Sequence, residues 1–339
     1  MSARRRPRAR GLVASAVLAV ALAGAVAASA GEPEPDPLEL EALRSLGYVN
    51  RPQESAADRA AAKAGVVLHK RPHVTPGLTL ITVIPESKAK LVSNSGRVVR
   101  TWRHAEAERW DRAILLENGD LLAIGRLPPA LEAASRAARG GPSPNLDPLD
   151  GRPWYPLLGR YLARYGWDGT LEWRRGSQAH HDLEVGDDGR ILALGKRRRV
   201  VDGLDFEDHM ILVSSERGEL EKELSLFDVL SSSPDVFELP RTTDFPGALR
   251  ESGVLDLLHA NAVTRMPFPA LRGRGDIYCA ACVLVTVRHQ NLVAVIDLER
   301  ERLVRTWGPG VLQYPHEGRW LENGNWLIFD NGSRERGYS

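Results

Sequence analysis

Tyr314-Pro-His-Glu-Gly-Arg-Trp-Leu-Glu-Asn-Gly-Asn-Trp-Leu-Ile-Phe-Asp-Asn-Gly332 reads as a single β-hairpin. His316 opens the first strand, Asn323-Gly324 forms the tight turn, and Trp326 to Phe329 is the apolar return. The histidine stands seven residues before the turn asparagine. The same spacing sets His181 before Asp188-Gly189 and the run Ile191 to Leu194. It recurs a third time without imidazole, where Asp111 precedes Asn118-Gly119 and Leu121 to Ile124. One hairpin is made three times, and two copies carry a histidine at the same position.

The repeat has a second half. Ser95 to Trp102, Asp168 to Trp173 and Glu301 to Trp307 each run from a turn to a tryptophan, and Arg217 to Leu224 is a version without one. Each follows an apolar strand: Ala89 to Val92, Tyr161 to Tyr165, Met210 to Val213 and Leu292 to Ile296. The hairpin turns at Gly119, Gly189 and Gly324 lie 70 and 135 residues apart, one unit and then two. A four-stranded unit recurring every ~70 residues predicts an all-β chain folded as a β-propeller, with insertions at 127–158 and 228–256. About four units fit after Leu78, and the chain stops at Arg336 to Ser339 just after a strand, so a truncated propeller is expected. A β-sandwich is the alternative fold, disfavoured by the Trp-terminated repeat.

The 339 residues, with 43% hydrophobic and 26% charged side chains, describe a globular chain with a substantial core. A formal charge of +1 gives no global argument for nucleic acid. Residues 1–30 combine an Arg-rich start, an uncharged apolar run from Gly11, and Ala28-Ser29-Ala30, the pattern of a secretory signal peptide. Left uncleaved, the same run would tether the protein to a membrane. Residues 31–76 read as a Pro/Glu-rich linker with a short helix at Leu38 to Leu46, and 77–339 as the propeller domain. A periplasmic or secreted location follows. Cys279 and Cys282 form a lone C-x-x-C, too few ligands for zinc, and read as a local disulfide across an irregular turn or as buried thiols.

Among nine histidines, His69, His73 and His104 read as solvated and His209 as structural. The others sit in His180-His181-Asp182, Leu258-His259-Ala-Asn261, Arg288-His289 and Pro315-His316-Glu317. Repeat equivalence predicts that His181 and His316 face one axial cavity, with His259 delivered by an intervening blade and Arg288 adding a guanidinium. Taken singly, each histidine has a plain reading as a strand cap or a polar core residue. Three histidines could bind a metal, but an arginine in the same cavity favours an anion, held by guanidinium and imidazole N–H groups. Imidazole can also be a nucleophile toward a sulfuryl or phosphoryl group, with a second histidine as acid and base.

These stretches resemble the bacterial arylsulfotransferases. The resemblance rests on Gly77 through Trp102, His180-His181-Asp182, Leu258-His259-Ala-Asn261, Val285 to Arg288, Trp307 to Gly310, and His316 through Gly332. It implies an exported six-bladed propeller that needs no cofactor and does not use the nucleotide sulfate donor. A sulfuryl group would pass from a phenolic sulfate ester to a phenol by a ping-pong route. By position His316 matches the transiently sulfurylated histidine and His259 the acid/base. His181 and Arg288 match the groups that hold the sulfuryl oxygens, with His180 and Asn261 as further substrate-binding candidates. The family usually has Asp after the nucleophile, where this chain has Glu317. Two rival functions stand beside this one: a non-catalytic binding or scaffold propeller with an anion pocket, and a metal-dependent hydrolase.

Overall fold

The computed structural model describes residue 66 and residues 73–128, 159–239, 250–251 and 254–332. Its strands follow the apolar runs and its turns follow the X-Gly dipeptides, so the repeat read in the sequence becomes a series of antiparallel sheets. The first holds β1 (Leu78–Val83), β2 (Lys88–Ser93) and β3 (Val98–Arg103) in that order. A four-stranded meander follows: β4 (Arg109–Leu115), β5 (Leu121–Arg126), β6 (Arg160–Tyr165) and β7 (Leu171–Gly176). The next contains β8 (Ala179–Val185), β9 (Ile191–Val201), β10 (Leu204–Ser214) and β11 (Leu220–Ser225). The last complete one is β14 (Ala260–Arg265), β15 (Cys282–Val287), β16 (Leu292–Asp297) and β17 (Arg302–Trp307). A pair, β18 (Pro315–Trp320) and β19 (Trp326–Asp330), closes the series.

The first strands β4, β8, β14 and β18 pack beside one another, the arrangement of a β-propeller of about four blades. The β-sandwich alternative is set aside. Middle strands such as β15 (CVLVTV) and β16 (LVAVID) are buried at every position, because neighbouring sheets cover both faces. Outer strands alternate or open to solvent, as in β17. Gly318 shows how closely the sheets meet: a Cβ there would lie 2.7 Å from the Thr286 hydroxyl, which accepts the Gly318 N–H at 3.0 Å.

The insertion at 228–256 is entered through a short helix, α1 (Leu226–Ser231), whose N-cap Ser225 accepts from the Asp228 N–H at 3.0 Å. Its far end returns as β12 (Arg250–Glu251) and β13 (Val254–Leu255), the latter pairing in parallel with β10. The expected signal segment, the linker helix and most of the insertion at 127–158 lie outside the described residues. No helix among the described residues is long and apolar enough to cross a membrane. Cys279 and Cys282 are joined across the turn before β15 with Cα atoms 5.0 Å apart, so the local-disulfide reading is the one the fold adopts.

Candidate active site

Each inner strand breaks its ladder near its start. Pairing skips Asp111 in β4, His181 and Asp182 in β8, Asn261 in β14, and Glu317 and Gly318 in β18. A bulge leaves residues unpaired and re-aims their side chains, and here it does so at equivalent places in successive sheets. Eight non-glycine residues among those described have positive φ, and His181, His259, Tyr314 and Glu317 are four of them. Backbone strain is thus concentrated at one locus, as expected where side chains must be presented rather than merely packed.

The two β8 histidines touch through their Nδ1 atoms, 2.5 Å apart, and each faces a different further neighbour. His180 is buried and stacks edge-on to His209, with ring centroids 5.1 Å apart. His181 turns toward His259 at 5.4 Å and keeps solvent exposure. Protein atoms crowd both rings, and this desolvation is the main cause that holds their pKa values well below the ordinary histidine value. Asp111, the residue at the His181 position in the preceding sheet, is instead clamped by Arg160 at 2.6 Å and Arg109 at 2.7 Å. Burial opposes its ionisation, but those two guanidiniums prevail and hold its carboxyl well below the usual range.

His259 is fixed twice by one carboxylate. Asp256 accepts from the His259 backbone N–H at 2.9 Å and from its ring Nδ1, leaving Nε2 buried without a protein partner. Burial works against the Asp256 charge, yet the His259 charge and hydrogen bond outweigh it and keep the carboxyl well below its ordinary value. His289 lies across His259 at 4.6 Å. Its Nδ1 donates to the Asp256 carbonyl at 2.7 Å and its Nε2 accepts from the Arg288 guanidinium at 2.7 Å, which defines a neutral tautomer. Burial and the neighbouring His259 lower its pKa to about 4. The chain Asp256–His289–Arg288 therefore links the group that holds His259 to the guanidinium beside it.

His316 is half-buried at the start of β18. Its Nδ1 lies 3.0 Å from the Tyr314 carbonyl, which can only accept, and 2.8 Å from the Asn331 amide nitrogen, which itself donates to that carbonyl at 2.9 Å. A proton on Nδ1 satisfies the carbonyl and leaves the lone pair on Nε2. Burial first, then the charges of Arg288 and His259, lower the His316 pKa to about 4 against the pull of the carbonyl bond. His316 is thus a neutral imidazole at neutral pH, within electrostatic reach of Arg288 and His259.

Just beyond these positions in β4, β8 and β18, charges of opposite sign close a ring. Arg112 meets Asp182 at 3.4 Å and Glu317 at 3.3 Å, while Arg319 meets Asp182 at 2.9 Å and Glu317 at 2.8 Å. Asp182 also accepts from the Val263 N–H at 3.0 Å, so one buried carboxylate ties β4, β8, β14 and β18 together. Glu317, singled out in the sequence for its extra methylene beside His316, spends both oxygens on this ring. Asn261 links β14 to β18 by donating to the Pro315 carbonyl at 3.0 Å, and its Oδ1 is buried without a protein partner.

His209, read as structural, is buried within β10 beside the other histidines, with its pKa lowered by burial to about 3. One histidine reading needs correction. His104 is half-buried rather than solvated, sharing its Nδ1 with the Tyr165 hydroxyl at 2.9 Å and its Nε2 with Arg174 at 3.3 Å. Asp256 and His289 carried no role in the sequence reading. The Asp256-x-x-His259 spacing was the available signal for the first, and nothing local marked the second.

Two donor sets could approach a metal: Asp256, His259 and His289, and Glu207, His209 and Asp256, each with ligand atoms within 4.8 Å of one another. Most of these donors are already engaged. Both His289 nitrogens are bonded, Asp256 holds His259, and Glu207 accepts from the buried Lys196 ammonium at 2.7 Å. A cation here would have to displace those bonds and sit beside an ammonium.

A family model described as Arylsulfotransferase (ASST) matches residues 155–310. That stretch includes His180, His181, Asp256, His259, Asn261, His289 and Arg288, and ends before His316. No curated protein sequence matches the chain. Among solved structures, a protein of unknown function from Bacteroides caccae is 11% identical with a TM-score of 0.42, over 76% of this chain and 66% of that one. The Kuenenia stuttgartiensis hydrazine synthase is 10% identical with a TM-score of 0.43, over 75% of this chain and 67% of that one. The Myceliophteria thermophila Cps50 (Swd1) β-propeller domain is 10% identical with a TM-score of 0.39, over 73% of this chain and 56% of that one. Likenesses this distant carry no argument about activity.

Proposed function

With residues 155–310 matching the arylsulfotransferase family, we propose that the histidine cluster transfers a sulfuryl group from a phenolic sulfate ester to a phenol through a sulfohistidine. The observation that carries the proposal is His316: a neutral imidazole pinned through Nδ1 to a backbone carbonyl, beside an arginine and a second histidine. The Nε2 lone pair attacks sulfur, the bond from sulfur to the phenolic oxygen breaks, and the departing oxygen takes the proton from His259 Nε2. His259 then removes the proton of an incoming phenol, whose oxygen attacks sulfur as the S–N bond breaks and returns the lone pair to His316. Arg288 and His181 hold the sulfuryl oxygens, where negative charge accumulates in the transition state. Asn261, with its Oδ1 free of protein partners, suits the hydroxyl of the acceptor.

Asp256 acts on His259 as a positioning residue, keeping Nδ1 occupied so that Nε2 faces the reaction. The nucleotide sulfate donor has no part in this scheme. Export to the periplasm or beyond is part of the proposal, supported by the Arg-rich, apolar N-terminus and by a disulfide suited to an oxidising compartment.

The test is initial-rate kinetics with 4-nitrophenyl sulfate as donor and phenol as acceptor. Parallel double-reciprocal lines and loss of turnover in His316→Ala are expected. Intersecting lines, or full activity in that variant, would remove the covalent route. The donor sets around Asp256 favour one other reading, a metal-dependent hydrolase. That reading requires activity lost to a chelator and restored by a divalent cation, with sulfate rather than a new ester as product.

A further inference from the structure

The turn Arg288–Gln290, which follows β15, ends on Asn291. Asn291 is left-handed at φ +53, a region that asparagine tolerates, and its N–H donates to the Arg288 carbonyl at 3.1 Å. Its side chain does not serve its own turn. Oδ1 crosses to the next sheet and accepts the Tyr314 N–H at 2.8 Å, 23 residues further along the chain. Tyr314 is itself left-handed at φ +54, an uncommon conformation for a bulky residue. Its carbonyl faces His316 Nδ1 at 3.0 Å and accepts from the Asn331 amide at 2.9 Å. The peptide groups on both sides of Tyr314 are therefore held. A second link joins the same two places, since the Arg288 guanidinium lies 4.7 Å from the Tyr314 ring centroid.

The corresponding turn of the first sheet differs in one respect. It follows β1, ends on Ser87 at φ +47, and also reaches the segment ahead of the next inner strand. There the Ser87 hydroxyl donates to the Ala107 carbonyl at 3.0 Å. Both turns thus pin the entry to the next sheet, but with opposite polarity. Serine occupies a carbonyl, whereas asparagine takes an N–H and leaves the carbonyl of the same residue to His316. From this we infer that Asn291 is a positioning residue for His316. By holding the Tyr314 backbone it aims the carbonyl that keeps the proton on Nδ1, and it fixes that carbonyl relative to the turn of Arg288. The inference rests on the sulfuryl-transfer reading of the same site and adds to it the residue that sets the nucleophile against the guanidinium.

The test separates the bond to Tyr314 from the fold of the turn. Asn291→Gly removes the side chain but keeps a residue at ease in the left-handed region, and Asn291→Asp restores an oxygen acceptor. Long-range proton–nitrogen correlation spectra of isotope-labelled protein at neutral pH report the His316 tautomer without any substrate. The His316 signals are those absent from His316→Ala. The wild-type chain and Asn291→Asp are expected to carry the proton on Nδ1, and Asn291→Gly to show a mixture of both tautomers. Single-turnover nitrophenol release from 4-nitrophenyl sulfate is expected to slow by about ten- to a hundredfold in Asn291→Gly, with the half-saturating donor concentration within about twofold of wild type. Asn291→Asp should recover most of that loss. A merely structural role would lower the melting temperature and leave the tautomer alone. An unchanged tautomer or release rate in Asn291→Gly, or a wild-type His316 protonated on Nε2, would overturn the inference. The expected tautomer shift beside a wild-type chain that releases no nitrophenol would uphold the positioning role and sink the transfer chemistry instead, so the two failures are distinguishable.

Discussion

His316 and His259 are given different work by what touches their Nδ1 atoms, a carbonyl in one case and a carboxylate in the other. If His259 protonates the departing oxygen, its removal should cost most where that oxygen is most basic. His259→Ala is expected to lose about 10²–10⁴ in kcat/KM with phenyl sulfate and much less with 4-nitrophenyl sulfate, whose leaving group needs little help. Equal losses with both donors would remove the acid role. A pH prediction follows from His316, whose pKa is lowered to about 4. Its lone pair is lost only when it is protonated, so adduct formation at 4-nitrophenyl sulfate should stay level from pH 7 to about pH 5. An unperturbed imidazole would already be fading near pH 6.5. Stability has its own dependence. His209 and His289 are neutral in the fold down to about pH 3 and pH 4, while the unfolded chain takes up protons near pH 6.5. The unfolded state then binds more protons in between, so stability is full above about pH 6.5 and falls as pH drops toward 4. Urea midpoints between pH 7 and pH 4.5 should show a shallower slope in His209→Gln than in the wild type.

The inner strands are held in register by the ring of Arg112, Asp182, Arg319 and Glu317. Asp182 is its hub, fully buried and bonded to a backbone N–H of a third sheet. Removing it leaves two guanidiniums facing one carboxylate in a largely desolvated place. Asp182→Ala is expected to lower the unfolding free energy by about 3–5 kcal/mol, the range for breaking one side of a buried pair. Denaturant titration measures it, and a loss below about 1 kcal/mol would show that the ring is solvated and incidental. The element scale is also where the sequence was most legible. Asn118-Gly119, Asp188-Gly189 and Asn323-Gly324 announced their hairpins because each turn needs the φ that glycine supplies. The Trp-terminated runs marked outer strands for the same local reason. The charge ring was not legible, since its members lie as far as 205 residues apart and each looks like an ordinary surface charge in isolation. His104 departs from its sequence reading for a related reason: whether a histidine is solvated depends on which sheet comes to lie over it.

Across the whole chain, the repeat brings distant residues together without any local signal of contact. His181 and His316 could be paired from their matching distance to a turn. His259 and Arg288 could be paired with them only through the resemblance and the order of blades. Asp256, His289 and Tyr314 escaped because their roles depend on tautomers, a stacked ring and a strained φ, none of which has a composition signature. His316 lies just beyond the stretch matched by the family model, so its role as nucleophile is the claim most in need of direct measurement. Intact-mass spectrometry after brief exposure to 4-nitrophenyl sulfate, beside His316→Ala, provides it. A gain of one sulfuryl group, about 80 Da, on the wild-type chain and none on the variant is the expected result. Nitrophenol release with no adduct, or an adduct that persists in His316→Ala, would contradict the assignment of His316 as nucleophile.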